Sequence, residues 1–301
     1  MALQSDLTAL FGVIGMSLLA MSWFYRKKNA EYLAYIGWVC SGFSFFLMSF
    51  HYLEISDYIL TMMCALCLPL SVGMVLWERK NDDGSRDARH WARGTVAFAG
   101  GPYLLVAYIP WLSVLAIWFV ASQSALFLQF ATGTDINIGS TFVNTSSGQY
   151  TWDEWGGNKF FFTDFQGDYP FQAELLLADG SSIGINFVLA CTALQSMVLF
   201  IGAISVLNLS LKKRIQVLFL IVPVIHIMNV FRNAGLIWMH MTYTDWSFYG
   251  LSVFEFGHTY VARFVSLFAM FIIALVMFDL LPQMHKNIMT LTKPFRKNHQ
   301  S

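Results

Sequence analysis

The sequence predicts an all-α integral membrane protein of about seven transmembrane helices. The mean hydropathy of the 301 residues is +0.55. Charged residues make up 12%, about half the share in a soluble domain. The apolar residues gather into runs of the roughly 20 residues that a helix needs to cross a bilayer.

Six runs are plain: residues 7–24, 33–50, 58–77, 186–209, 215–231 and 259–281. The stretch 95–131 suits one tilted span or a broken one. Pro110 interrupts it, and Gly100, Gly101 and Pro102 loosen its start. Lysine and arginine favour cytoplasmic loops. Basic clusters follow the first run (Arg26, Lys27, Lys28) and the third (Arg79, Lys80, Arg86, Arg89, Arg93). Others precede the sixth (Lys212, Lys213, Arg214) and close the chain (Lys286, Lys293, Arg296, Lys297). All four share one side if 95–131 makes one net crossing. That implies seven crossings, with the N-terminus outside and the C-terminus inside. The N-terminus lacks the basic start and A-x-A site of a cleaved signal, so the first helix is expected to remain. Residues 1–301 read as a single polytopic membrane domain, without an internal repeat.

The segment 132–185 then lies outside as a loop. Its stretch T-W-D-E-W-G-G-N-K-F-F-F-T-D-F-Q-G-D-Y-P is rich in aromatic rings suited to the outer membrane interface. So long a loop is uncommon unless functional. Asn144-Thr145-Ser146 has the form of a glycosylation acceptor.

Formal net charge is zero, so no field draws nucleic acid. Ionisable groups at membrane depth are costly and read as functional. Cys191 lies just inside one run, Arg232 just past the end of the next, and His258 at the opening of the last. The topology brings all three to the outer face. Each has an ordinary explanation alone: a buried thiol is often inert, an arginine snorkels, and a histidine caps a helix. Together a thiol, a permanent cation and a proton carrier suggest nucleophilic catalysis. Asn229 and Asn233 flank Arg232 and are expected to orient its guanidinium or cap the helix. Arg263 lies five residues beyond His258 and is expected to face the bundle interior. Cys64 and Cys67 read as packing residues, as does His226. Gly180-Ser181-Ser182-Ile183-Gly184 matches G-x-S-x-G, but that motif needs a strand before it and a helix after it. No metal-ligand cluster appears, and no metal or organic cofactor is required.

L-A-C-T-A-L-Q-S, F-R-N-A-G and the histidine that opens the last run resemble the exosortase/archaeosortase family, over residues 183–282. The A-C-T-x-x-Q-S form is similar to the archaeosortase A type, although Ala193 stands where that motif has glycine. The resemblance implies a sortase-like cysteine transpeptidase, multi-pass in an archaeal cell membrane, with its site at the extracytoplasmic face. It implies substrates among secreted or surface proteins whose C-terminal tail holds a Pro-Gly-Phe-type motif, a transmembrane helix and a basic end. The tail is removed and a membrane lipid attached. Cys191 and Arg232 carry over directly. For the third place His258 is the first expectation. Arg263 is the alternative, or a substrate-binding group, because archaeosortases can use arginine there.

Two other classes are compatible with the run pattern. A seven-span receptor or transporter is one, although 259–281 holds no Schiff-base lysine and only 95–110 is interrupted. A serine intramembrane protease acting through Ser182 is the other.

Overall fold

A computed structural model describes residues 2–25, 30–80, 82–161 and 169–292. Among them, six helices are long and apolar enough to cross a membrane: Leu7–Phe24, Ala30–Glu54, Tyr58–Arg79, Pro110–Thr132, Leu211–Thr242 and Val253–Leu280. The protein is a membrane protein of mostly helical build. Its chain divides into two compact units.

The first unit holds residues 1–101, 199–214 and 277–301. Helices α1 (Ala2–Phe24), α2 (Ala30–Glu54) and α3 (Tyr58–Arg79) pack through small residues. A Cβ on Gly15 would lie 2.7 Å from the Ser41 nitrogen, and one on Gly42 would lie 2.0 Å from the Ser71 hydroxyl. Lipid tails are as apolar as leucine, so close backbone approach is what holds such helices together. The Ser44 hydroxyl donates to the Thr8 carbonyl at 2.7 Å across this contact. Asp57 caps α3 by accepting from the Leu60 amide.

At the end of α3, Glu78 is 1% exposed, a burial that only partners make tolerable. They come from α4 (Arg86–Tyr108). Arg93 donates to both Glu78 oxygens, at 2.7 and 2.5 Å, and Arg89 stands 3.4 Å away. Trp38 adds an indole N–H at 3.4 Å, and Trp77 lies under the Arg89 guanidinium. Two arginines of the second basic cluster are therefore engaged in a buried network. Arg26, Lys27, Lys28, Lys293, Arg296 and Lys297 lie outside the described residues.

The second unit holds residues 102–198 and 215–276. The stretch 95–131 is two helices, α4 and α5 (Pro110–Thr132), broken at Ile109. Ile109 is extended, as the residue before proline prefers. Ser113 bridges the break by donating to the Val106 carbonyl at 2.7 Å.

The expectation of an all-α chain fails at 132–185, which is not a loop. Strands β1 (Ile136–Thr145), β2 (Gly148–Thr151), β3 (Phe171–Leu177) and β4 (Ser182–Phe187) form an antiparallel sheet in the order β2-β1-β3-β4. The alternation in F-Q-A-E-L-L-L and S-I-G-I-N-F, with Asp179-Gly180 between them, is a hairpin pattern. One face of the sheet packs on α5, where Val114, Ile117 and Ala121 meet Val143, Ala173, Leu175 and Phe187. Trp118 donates to the Thr141 hydroxyl at 2.7 Å. Trp111 and Trp152 stack 5.8 Å apart, with the Lys159 ammonium over Trp152. Residues 162–168 of the aromatic stretch lie outside the described residues. Asn144 lies on β1 beside the turn into β2, and its side-chain oxygen accepts from Gln149.

Two further expectations are corrected. The run 186–209 is not one spanning helix: its first residues belong to β4, and α6 (Leu194–Ser205) has only twelve residues, about 18 Å. Conversely, α7 (Leu211–Thr242) continues ten residues past Arg232, because L-I-W-M-H-M stays helical and apolar and Gly235 does not stop it. The last run begins earlier than 259. Short α8 (Val253–Phe256), a π-turn (Gly257–Val261) and α9 (Ala262–Leu280) form one continuous helical run, followed by α10 (Pro282–Thr292).

Candidate active site

Cys191 sits where the chain passes from strand to helix. After β4, Val188 is still extended, and Leu189–Thr192 form one 3₁₀ turn. Ala193 takes a left-handed conformation, φ 54, and α6 starts at Leu194. The turn is closed by its own polar groups. The Cys191 amide donates to the Val188 carbonyl at 2.9 Å, and the Thr192 hydroxyl to the Leu189 carbonyl at 2.7 Å. The strand–turn–helix setting that G-x-S-x-G requires is thus found around Cys191. Ser182 begins β4 on the far side of a hairpin turn, with strand rather than helix after it.

Helix α7 holds this turn from the side. The side-chain amides of Asn229 and Asn233 donate to the Cys191 carbonyl at 2.7 and 2.9 Å. Both asparagines are buried. They sit four residues apart, on one face of the helix. The expectation that they orient the guanidinium or cap a helix end is corrected: α7 continues past them, and their donors go to the cysteine main chain.

Arg232 adjoins Asn233 and lies one turn from Asn229, so the same contact brings it beside the cysteine. Its charge acts on Cys191 and on Arg263. Its Nε is buried and makes no hydrogen bond. A buried donor without an acceptor is costly.

The two candidates for the third place stand at different depths. A Cβ on Gly257 would meet Leu236 at 3.1 Å and Met239 at 3.3 Å, so the π-turn packs four to seven residues beyond Arg232 along α7. The chain turns back between α7 and α8, and successive residues descend α7. Arg263, six residues or about 9 Å past Gly257, is level with Arg232. His258 is about a turn and a half nearer the end of α7, where its ring stacks on Phe254 at 5.7 Å. The Ala262 amide donates to the Gly257 carbonyl, a five-residue step that inserts one residue into the helix. Across that insertion His258 and Arg263 approach the relation of residues four apart, which share a face.

His240 is a part of the site region with no distinctive sequence pattern. It donates to the Ile183 carbonyl at 3.0 Å and packs edge-on against Phe254. It ties the end of α7 to β4. Gln195 of the cysteine motif donates to the Tyr103 hydroxyl at 3.2 Å. His226 donates to Gln123 at 2.5 Å and stacks on Phe119, a contact between α5 and α7. Cys64 is buried, and Cys67 bonds back to the Met63 carbonyl in its own helix.

The arrangement brings together a thiol held by its main chain and two guanidinium groups, Arg232 and Arg263, whose charges act on one another. No protein-family model, curated protein or solved structure matches this chain.

Proposed function

We propose that this chain is a membrane cysteine transpeptidase of the archaeosortase type. Its substrates are exported surface proteins with a C-terminal signal of Pro-Gly-Phe-type motif, transmembrane helix and basic tail. The observation that supports the reading is the pair of asparagine donors on the Cys191 carbonyl, which holds the cysteine main chain against the stretch of α7 that carries Arg232.

The chemistry follows from these groups. Burial holds Cys191 toward the thiol, and the Arg232 guanidinium works against it by favouring the thiolate. The thiolate attacks the scissile carbonyl, and the tetrahedral oxyanion is held by guanidinium donors. Collapse breaks the peptide bond, the amine of the departing tail takes from water the proton that the thiol gave up, and a thioester remains on Cys191. A lipid headgroup nucleophile attacks that thioester, joins the acyl group and frees the thiol. Arg263 is level with Arg232 and takes the third place in this reading. His258, nearer the membrane surface, exchanges protons with water.

The site opens toward the outer side of a cell membrane from about 15 Å below the end of α7, with residues 212–214 inside. Cys191→Ala tests the assignment: it is expected to abolish tail removal, read from the intact mass of a substrate protein, while Cys64→Ala and Cys67→Ala are tolerated. Full tail removal by Cys191→Ala defeats the reading. Impermeant maleimide on single cysteines is expected to label the sheet region and not 212–214. The reverse pattern places the site in the cytoplasm.

A further inference from the structure

Residues 243–252, between α7 and α8, form a hairpin that does not suit water. Strands β5 (Ser247–Phe248) and β6 (Leu251–Ser252) pair through Ser247↔Ser252 and Phe248↔Leu251 around a turn at Tyr249 and Gly250. Both turn residues have positive φ, 50 and 79. Asparagine or aspartate normally precedes glycine in such turns, and a bulky ring there is an outlier. Tyr249 is also 93% exposed.

The neighbouring rings are joined. Trp246 stacks on Phe248 at 6.2 Å and meets Phe256 at 5.5 Å, and Phe256 continues to Tyr260 at 5.7 Å. Trp246 and Phe248 are 40% and 47% exposed. From Trp246 to Phe254 there is no charged residue. A strained turn that presents a contiguous set of exposed rings marks a surface built for something other than water.

The helices at its two ends identify the partner. Beyond its basic start, α7 rises through residues 215–242, about 42 Å. The run Val253–Leu280 has 28 residues and the same rise. A bilayer with its headgroups is about 40–45 Å thick. Both ends of the hairpin therefore emerge at headgroup level, which tryptophan and tyrosine favour.

We propose that the hairpin 243–252 is a lipid-binding element, with Phe248 and Tyr249 set among the phospholipid headgroups at the end of α7 and α8. It borders the helices that carry Arg232 and Arg263, and it does not depend on the reaction assigned to them.

The test uses the full chain in phosphatidylcholine nanodiscs brominated either near the glycerol end of the acyl chains or near the chain ends. The fluorescence that Tyr249→Trp adds to the wild type is expected to lose most of its intensity with bromine near the glycerol, and less with bromine at the chain ends. The component removed by Trp246→Phe reads the same position in a protein whose tip is native, and is expected to follow the same order. If both components are quenched by aqueous acrylamide and by neither brominated lipid, the hairpin stands in water or on a protein partner, and the proposal fails.

Discussion

Asn233 donates its side-chain amide to the Cys191 carbonyl at 2.9 Å, and Asn229 shares that acceptor at 2.7 Å. The redundancy has a measurable sign. Either alanine substitution alone leaves one donor in place and is expected to cost about 1 kcal/mol. The double substitution leaves a buried carbonyl without a donor and is expected to cost about 3 kcal/mol, more than the two singles together. Thermal melts of the three variants in detergent decide. Strict additivity means that the carbonyl finds another donor.

Ala193 holds φ 54 two residues after the cysteine. Left-handed backbone costs a residue with a side chain about 1–2 kcal/mol, and glycine gives back part of the relief through its greater freedom when unfolded. Ala193→Gly is expected to stabilise by about 0.5–1 kcal/mol, read as a higher melting temperature. Ala193→Val is expected to lower it. An unchanged melt for both variants means the turn relaxes without strain.

Lysine keeps the charge of Arg232 but lacks its planar fork of donors. Arg232→Lys is expected to reduce turnover about a hundredfold, by comparison with loss of one oxyanion donor. Near-normal turnover limits Arg232 to the part of a snorkelling cation.

The equal depth of Arg232 and Arg263 ranks the third-place candidates. Arg263→Ala is expected to lower the single-turnover cleavage rate about a hundredfold or more, and His258→Ala by about tenfold, less than a lost general base. The opposite order, with a histidine-like ionisation in the wild-type rate, returns the third place to His258.

Much of the fold is written locally in the chain. Six of the seven expected crossings correspond to long apolar helices, and the Pro110 break lies where proline and glycine signal it. The sheet is written in the alternation of F-Q-A-E-L-L-L and S-I-G-I-N-F, but the pairing of β3 with β1 is a long-range contact that local pattern does not carry. The run 186–209 departs from expectation because continuous apolarity does not separate a buried strand from a helix. For the site, Cys191 and Arg232 stand out because ionisable groups are scarce in apolar runs. The destination of the Asn229 and Asn233 donors was not legible, because it depends on which helix packs against the turn, a contact spanning 38 and 42 residues. His240 carries no signal in sequence: its partner is a main-chain carbonyl, which every residue has.

The buried carboxylate of Glu78 bears on how the protein is made. Its guanidinium partners follow it by only 11 and 15 residues, so the network closes within a single helical hairpin. A helix released into lipid with that carboxylate unmatched meets a steep barrier, and α3 gains its counter-charges only when the start of α4 has been synthesised. The two helices are therefore expected to settle in the membrane as a pair rather than singly.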